Sequence, residues 1–92
     1  MNSSQEFLKA AIRIQEERGK EYDKPEGERS MESTVSAFNA ITGHILTEAE
    51  GWLFMEILKN VRLFTAPGFH CDSAIDGVSY SSLKAEAKAR EA

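Results

Sequence analysis

Ninety-two residues, 41% of them hydrophobic and 28% charged, make one globular domain spanning 1–92, at the small end of what folds alone. The formal net charge of −4 argues against a nucleic-acid backbone or an anionic membrane surface as the main partner, because both select for surplus Lys and Arg. The single cysteine, Cys71, excludes an internal disulfide and a cysteine-based zinc site, and no apolar run approaches the ~18 residues that span a bilayer.

The opening MNSSQEFLKAA lacks the basic flank and long apolar core of a signal peptide, so a reducing cytoplasm is the expected compartment. Ser3 and Glu6 fit a capping box, and Phe7, Leu8, Ala11, Ile12 and Ile14 form a helical stripe. These signals predict a first helix near 4–18, with Gly19 as the residue that stops it. Residues 20–29, KEYDKPEGER, read as a polar loop, either a solvated linker or a ligand-contacting flap.

A second helix is predicted near 31–42, with Ser30 as its N-cap and Met31, Val35, Phe38 and Ile41 at helical spacing. Gly43 ends it, Ile45 and Leu46 are expected to pack back, and His44 sits in the turn.

The third helix, near 48–65, opens with a Thr47–Glu50 capping box and stops at Pro67 and Gly68. At 100° per residue, Leu53, Phe54, Ile57, Leu58, Val61 and Phe64 fall on one broad side. Trp52, Met55 and Leu63 fall on the other, interleaved with Glu56, Lys59, Asn60 and Arg62. A helix apolar nearly all round is expected to be central and buried, with Trp52 in the core or at a subunit contact.

After a short connector in which Phe69 reads as a buried anchor, a fourth helix is predicted near 73–90, capped by Asp72 or Ser73. Small residues in its first half allow a close helix approach, and the weakly apolar tail LKAEAKAREA is expected to project and fray unless covered. No strand signal or repeat interrupts this pattern. The predicted fold is all-α, a compact four-helix domain. A chain this short has a thin core, so a homo-oligomer is expected, with a homodimer formed through the third and fourth helices.

Two constellations could carry chemistry. Lys59 and Arg62, spaced i, i+3, can converge on one anion, with Arg offering a planar fork for phosphate or carboxylate. Asp72, Asp76 and Tyr80, spaced i, i+4, i+8, share a helix face where the two carboxylates could hold a divalent cation such as Mg²⁺. The bland alternative is that Asp72 caps its helix, and that Lys59 and Arg62 pair with these acids or with Glu56 as an internal ion network. His70 and Cys71 are too few for a zinc site. No phosphate-binding loop, dinucleotide fingerprint, metalloprotease helix or helix-turn-helix signature is present.

Three pieces together carry a resemblance. They are Arg18–Gly19–Lys20–Glu21–Tyr22, then Leu58–Lys59–Asn60–Val61–Arg62, then His70, Asp72, Ser73, Asp76 and Tyr80 in an H-x-D-S-x-x-D-x-x-x-Y spacing. The order resembles a family of small phage and prophage proteins of unknown function. That family is similar to the phage nucleotide-modification-associated domain and, more distantly, to MazG-like all-α NTP pyrophosphatases. The resemblance covers residues 18–83. It implies an all-α fold, a phage or prophage origin in a bacterial cytoplasm, and an involvement with nucleotides. By position, Arg18, Tyr22, Lys59, Arg62, Asp72, Asp76 and Tyr80 are its motif residues.

The chain departs from the MazG-like pattern where those enzymes pair acids for magnesium: the second helix has no E-x-x-E, and Glu56 is followed three residues on by Lys59. Whether it is an enzyme therefore stays open. Two functions are expected as rivals. One is an accessory protein that binds a nucleotide or other phosphorylated small molecule; the other is a non-enzymatic, oligomeric interaction module whose Lys/Arg/Asp residues form a structural network.

Overall fold

In a computed structural model, residues 3–21 and 30–92 are described. They form four helices and no strand: α1 (Ser4–Glu21), α2 (Met31–Thr42), α3 (Glu48–Thr65) and α4 (Cys71–Arg90). The domain is all-α, as the periodicities predict.

Local signals set most of the helix ends. The Ser3–Glu6 box is formed in both directions, each hydrogen bond being 3.2 Å. Thr47 and Glu50 cap α3 reciprocally, with Thr47 N–H donating to Glu50 Oε1 at 2.9 Å and Glu50 N–H to Thr47 Oγ1 at 3.1 Å. Gly43 closes α2 at φ 78°, a left-handed conformation that glycine adopts without a Cβ clash. Asn39 then fixes the turn: its side chain accepts from Leu46 N–H at 2.8 Å and donates to Leu46 C=O at 2.9 Å. Ser30 occupies the N-cap of α2, but its side chain makes no capping bond.

Four expectations need correction. Gly19 does not stop α1, which continues to Glu21; the ~1 kcal/mol propensity cost of an interior glycine is small enough for a buried contact to offset. Helix α4 starts two residues earlier than predicted, because His70 is its N-cap and its Nδ1 accepts from Ser73 N–H at 3.3 Å. Phe69 is 66% exposed; it meets Phe7 edge-on at 6.0 Å without being buried. Ile45 does not pack back behind Gly43, being 91% exposed, whereas Leu46 does; the C-terminal tail is covered, with Leu83 and Ala87 buried and Arg90 paired with Glu48 at 3.3 Å.

Helix α3 is central as expected but shares that place with α4: the two pack on each other, and each carries one outer helix. The short 66–70 connection makes α3 and α4 an antiparallel pair, with Glu48 beside Arg90, Trp52 beside Tyr80, Glu56 beside Lys84 and Lys59 beside Asp76. On the opposite flank, α1 runs parallel to α4. Phe7 lies by Phe69 at the start of α4, and Gln15 donates to Ser79 Oγ and Ser82 Oγ, both at 2.9 Å. Helix α2 docks on α3.

Two apolar clusters follow from this layout. Ala10 and Ala11 of α1 pack with Ile75 of α4. Met31 and Val35 of α2, Ala49 and Trp52 of α3, and Tyr80, Leu83 and Ala87 of α4 form the other, with Leu46 and Met55 against it. The smooth seat for α2 is Gly51: a Cβ there would come within 2.8 Å of Val35 Cγ1 and 2.5 Å of Met31 Sδ. Gly51→Ala is therefore expected to destabilise the fold by about 1–2 kcal/mol. Overpacking at ~1–3 kcal/mol outweighs the helix-propensity gain of about 1 kcal/mol. A urea midpoint at or above that of the native chain would show that α2 does not approach α3 this closely.

Candidate functional site

Asp76 is the meeting point of three helices. It stands one turn into the α4 stretch that runs between α1 and α3, and it is only 6% exposed. Its Oδ2 faces Lys59 Nζ of α3 at 3.0 Å, and its Oδ1 faces Arg18 Nη2 of α1 at 3.4 Å. The Lys59 side chain is itself only 14% exposed. A buried carboxylate is tolerable only when paired and hydrogen-bonded, and here each oxygen has its own cation.

The other predicted residues do not join this cluster as expected. Lys59 and Arg62 do not converge on one point: Lys59 turns to Asp76, whereas Arg62 is exposed in the last turn of α3. Asp72 is exposed in the first turn of α4, where the positive end of the helix favours an acid. Tyr80 is a core residue, stacked on Trp52 with ring centroids 5.4 Å apart and planes 25° apart. Trp52 is 2% exposed, a core residue as one of its two expected roles required. Tyr22 lies outside the described residues.

Among the described residues, no three His, Cys, Asp or Glu side chains come together as a metal-binding group. Asp72 and Asp76 thus have no third acid beside them, and both oxygens of Asp76 already face cations.

Sequence reasoning did not assign the partners that complete the charged seam of α3. Glu56 binds Lys84 at 2.7 Å, and Glu48 binds Arg90. Gln15 ties α1 to the serines of α4. A spacing argument could have found Lys84, which stands two turns beyond Asp76 on α4, once α3 and α4 are set antiparallel. Between α1 and α3, over Gly77, Ser81 and Ala85 of α4, runs an open groove of about 780 Å³ walled by Leu8, Leu63 and Phe69.

The second notable surface is mostly apolar, with Glu50 as the charged residue in its lining. Phe54, Ile57, Val61 and Phe64 follow one another at three- and four-residue steps along α3 and face away from α4, with Phe54 70% and Phe64 84% exposed. Phe38 and Ile41 of α2 are also exposed, and a groove of about 600 Å³ between α2 and α3 is lined by Met31, Val35, Phe38, Leu53, Phe54 and Ile57, among others. Helix α3, expected to be buried nearly all round, is thus exposed along this stripe. Burial goes instead to the Trp52 side, because α4 supplies Lys84 for Glu56 and Asp76 for Lys59.

No protein-family model, curated protein or solved structure matches the chain.

Proposed function

We propose that the chain is a non-enzymatic protein-interaction module, in which Arg18, Lys59 and Asp76 are a structural clamp and the α2–α3 apolar surface is the working face. The observation that carries this reading is the division of the Asp76 carboxylate between Lys59 at 3.0 Å and Arg18 at 3.4 Å in a buried setting. Lys59, the buried cation that a phosphate would need, and Asp76, the buried acid that a metal would need, are engaged with one another, while Arg62 and Asp72 stand apart from them. On the resemblance carried by the Arg18–Tyr22, Leu58–Arg62 and His70–Tyr80 segments, the module is an accessory protein of phage or prophage origin, acting in the cytoplasm of a bacterial host.

The rival reading, a binder of a nucleotide or other phosphorylated small molecule with or without Mg²⁺, requires Lys59 or Arg18 to leave Asp76. A thermal-shift screen of nucleoside mono-, di- and triphosphates separates the two. A ligand at ~100 times its dissociation constant contributes ~2.7 kcal/mol, about 10 °C or more in Tm for a domain of this size. No shift with or without magnesium is the expected result. A shift of that size that disappears in Lys59→Met would restore the phosphate reading.

A further inference from the structure

We infer that the exposed α2–α3 face is covered by a second copy of this chain, the two hairpins packing across a two-fold axis into one four-helix core. The inference rests on the reading of the chain as an interaction module and names its partner. Four observations converge on it.

The first is pattern. Phe54, Ile57, Val61 and Phe64 take steps of three, four and three along α3, the spacing of a seam that receives knobs from a facing helix. Among the described residues no helix packs over this row: α4 packs on the Trp52 side, and α2, seated on Gly51, leaves an open groove beside Phe54 and Ile57. Phe38 and Ile41 continue the apolar surface on α2.

The second is size. Phe38, Ile41, Leu53, Phe54, Ile57, Val61 and Phe64 are between 42% and 84% exposed. At about 200 Å² for a large side chain they present roughly 800 Å². That matches the ~800 Å² per partner of a standard stable interface and exceeds the ~300–600 Å² of the largest patch on an ordinary monomer.

The third is chemistry. Midway along α3, the charges Glu56 and Lys59 are turned inward to Lys84 and Asp76, which leaves Glu50 and Arg62, toward the two ends of the helix, as its exposed charges near the apolar row. An apolar centre without charges is the composition of a permanent homodimer interface, not of a transient one. The fourth is shape. An interface across a two-fold axis must be complementary to itself, and this face carries both a ridge, at Phe54 and Phe64, and a groove of about 600 Å³ beside it.

The test uses the full chain at micromolar concentration. Sedimentation equilibrium is expected to give twice the chain mass of 10.2 kDa. Phe54→Glu and Phe64→Glu alter side chains that are mostly exposed in the single chain, so helix content should persist while self-association weakens by roughly 30-fold or more, the effect of losing one interface hot spot. Should either variant lose its helical circular dichroism, photo-crosslinking replaces it. With p-benzoylphenylalanine placed at Phe64, cross-linked dimers are expected; placed at the exposed Ile12 of α1, none are.

A folded monomer at these concentrations overturns the inference. So does a dimer that cross-links from Ile12 and not from Phe64. Either result leaves the structural role of Asp76 untouched, whereas nucleotide stabilisation lost in Lys59→Met would remove that role and leave the dimer standing.

Discussion

Asp76→Ala is expected to lower the stability of the domain by about 3–5 kcal/mol, because it removes the carboxylate that faces both Lys59 and Arg18 at a buried three-helix junction and leaves the mostly buried Lys59 ammonium without it. The lower end is favoured, since Arg18 is 26% exposed and can turn its guanidinium to water, whereas Lys59 at 14% has less freedom. A small domain has only ~5–15 kcal/mol in total, so the variant should unfold at a much lower urea concentration. The pair differs sharply from its parts. Lys59→Met together with Asp76→Leu removes both charges and keeps apolar volume, and should recover most of the loss. A double-mutant cycle measures the coupling directly. A loss below about 1 kcal/mol for Asp76→Ala would mean that the clamp has no structural weight, and that its residues are kept for something else.

Trp52→Ala should cost a similar amount, about 3–5 kcal/mol, by a different route. Trp52 is 2% exposed, stacks on Tyr80 at 5.4 Å, and belongs to the cluster that joins Met31 and Val35 of α2 to Leu83 and Ala87 of α4. Truncation leaves a cavity among three helices that hold one another through this one ring. Trp52→Phe should be milder, since it keeps an aromatic face for Tyr80. Trp52 is the chain's single tryptophan, so its fluorescence reports unfolding of the native chain, and circular dichroism must follow the variants. If Trp52→Ala unfolded at the native urea midpoint, the core would have to lie elsewhere.

What the sequence reveals depends on how local the cause is. The Thr47–Glu50 box and the Gly43 stop are written within four residues, and both form as read. The start of α4 is equally local but uses His70, a residue that rarely caps, so Asp72 and Ser73 drew the assignment instead. Gly19 carried a stop signal, yet α1 runs two residues past it to Glu21, with Gly19 buried. The orientation of α3 could not be read from α3 at all. It has two apolar faces, and the one with Glu56 and Lys59 looks the worse candidate for burial until Lys84 and Asp76 are placed opposite. The same holds for the candidate site. Spacing put Lys59 near Arg62 and Asp72 near Asp76, with pairing of the two sets as the alternative; of that alternative only Lys59 to Asp76 forms, and Arg18 to Asp76, across 58 positions of sequence, was not suggested by any spacing.

The way α1 is attached has a consequence for the order of assembly. Helices α2, α3 and α4 follow one another through connections of about five residues, so their mutual contacts close small loops and can form early. The contacts of α1 reach from Gln15 to Ser79 and from Arg18 to Asp76, separations of 64 and 58 residues. They become affordable only after α4 is already in place. Helix α1 is thus expected to dock after α3 and α4 have paired. Its amides should lose hydrogen-exchange protection at a lower free energy than those of α3 and α4, and each such opening would bare Asp76 on one side while Lys59 still holds it on the other.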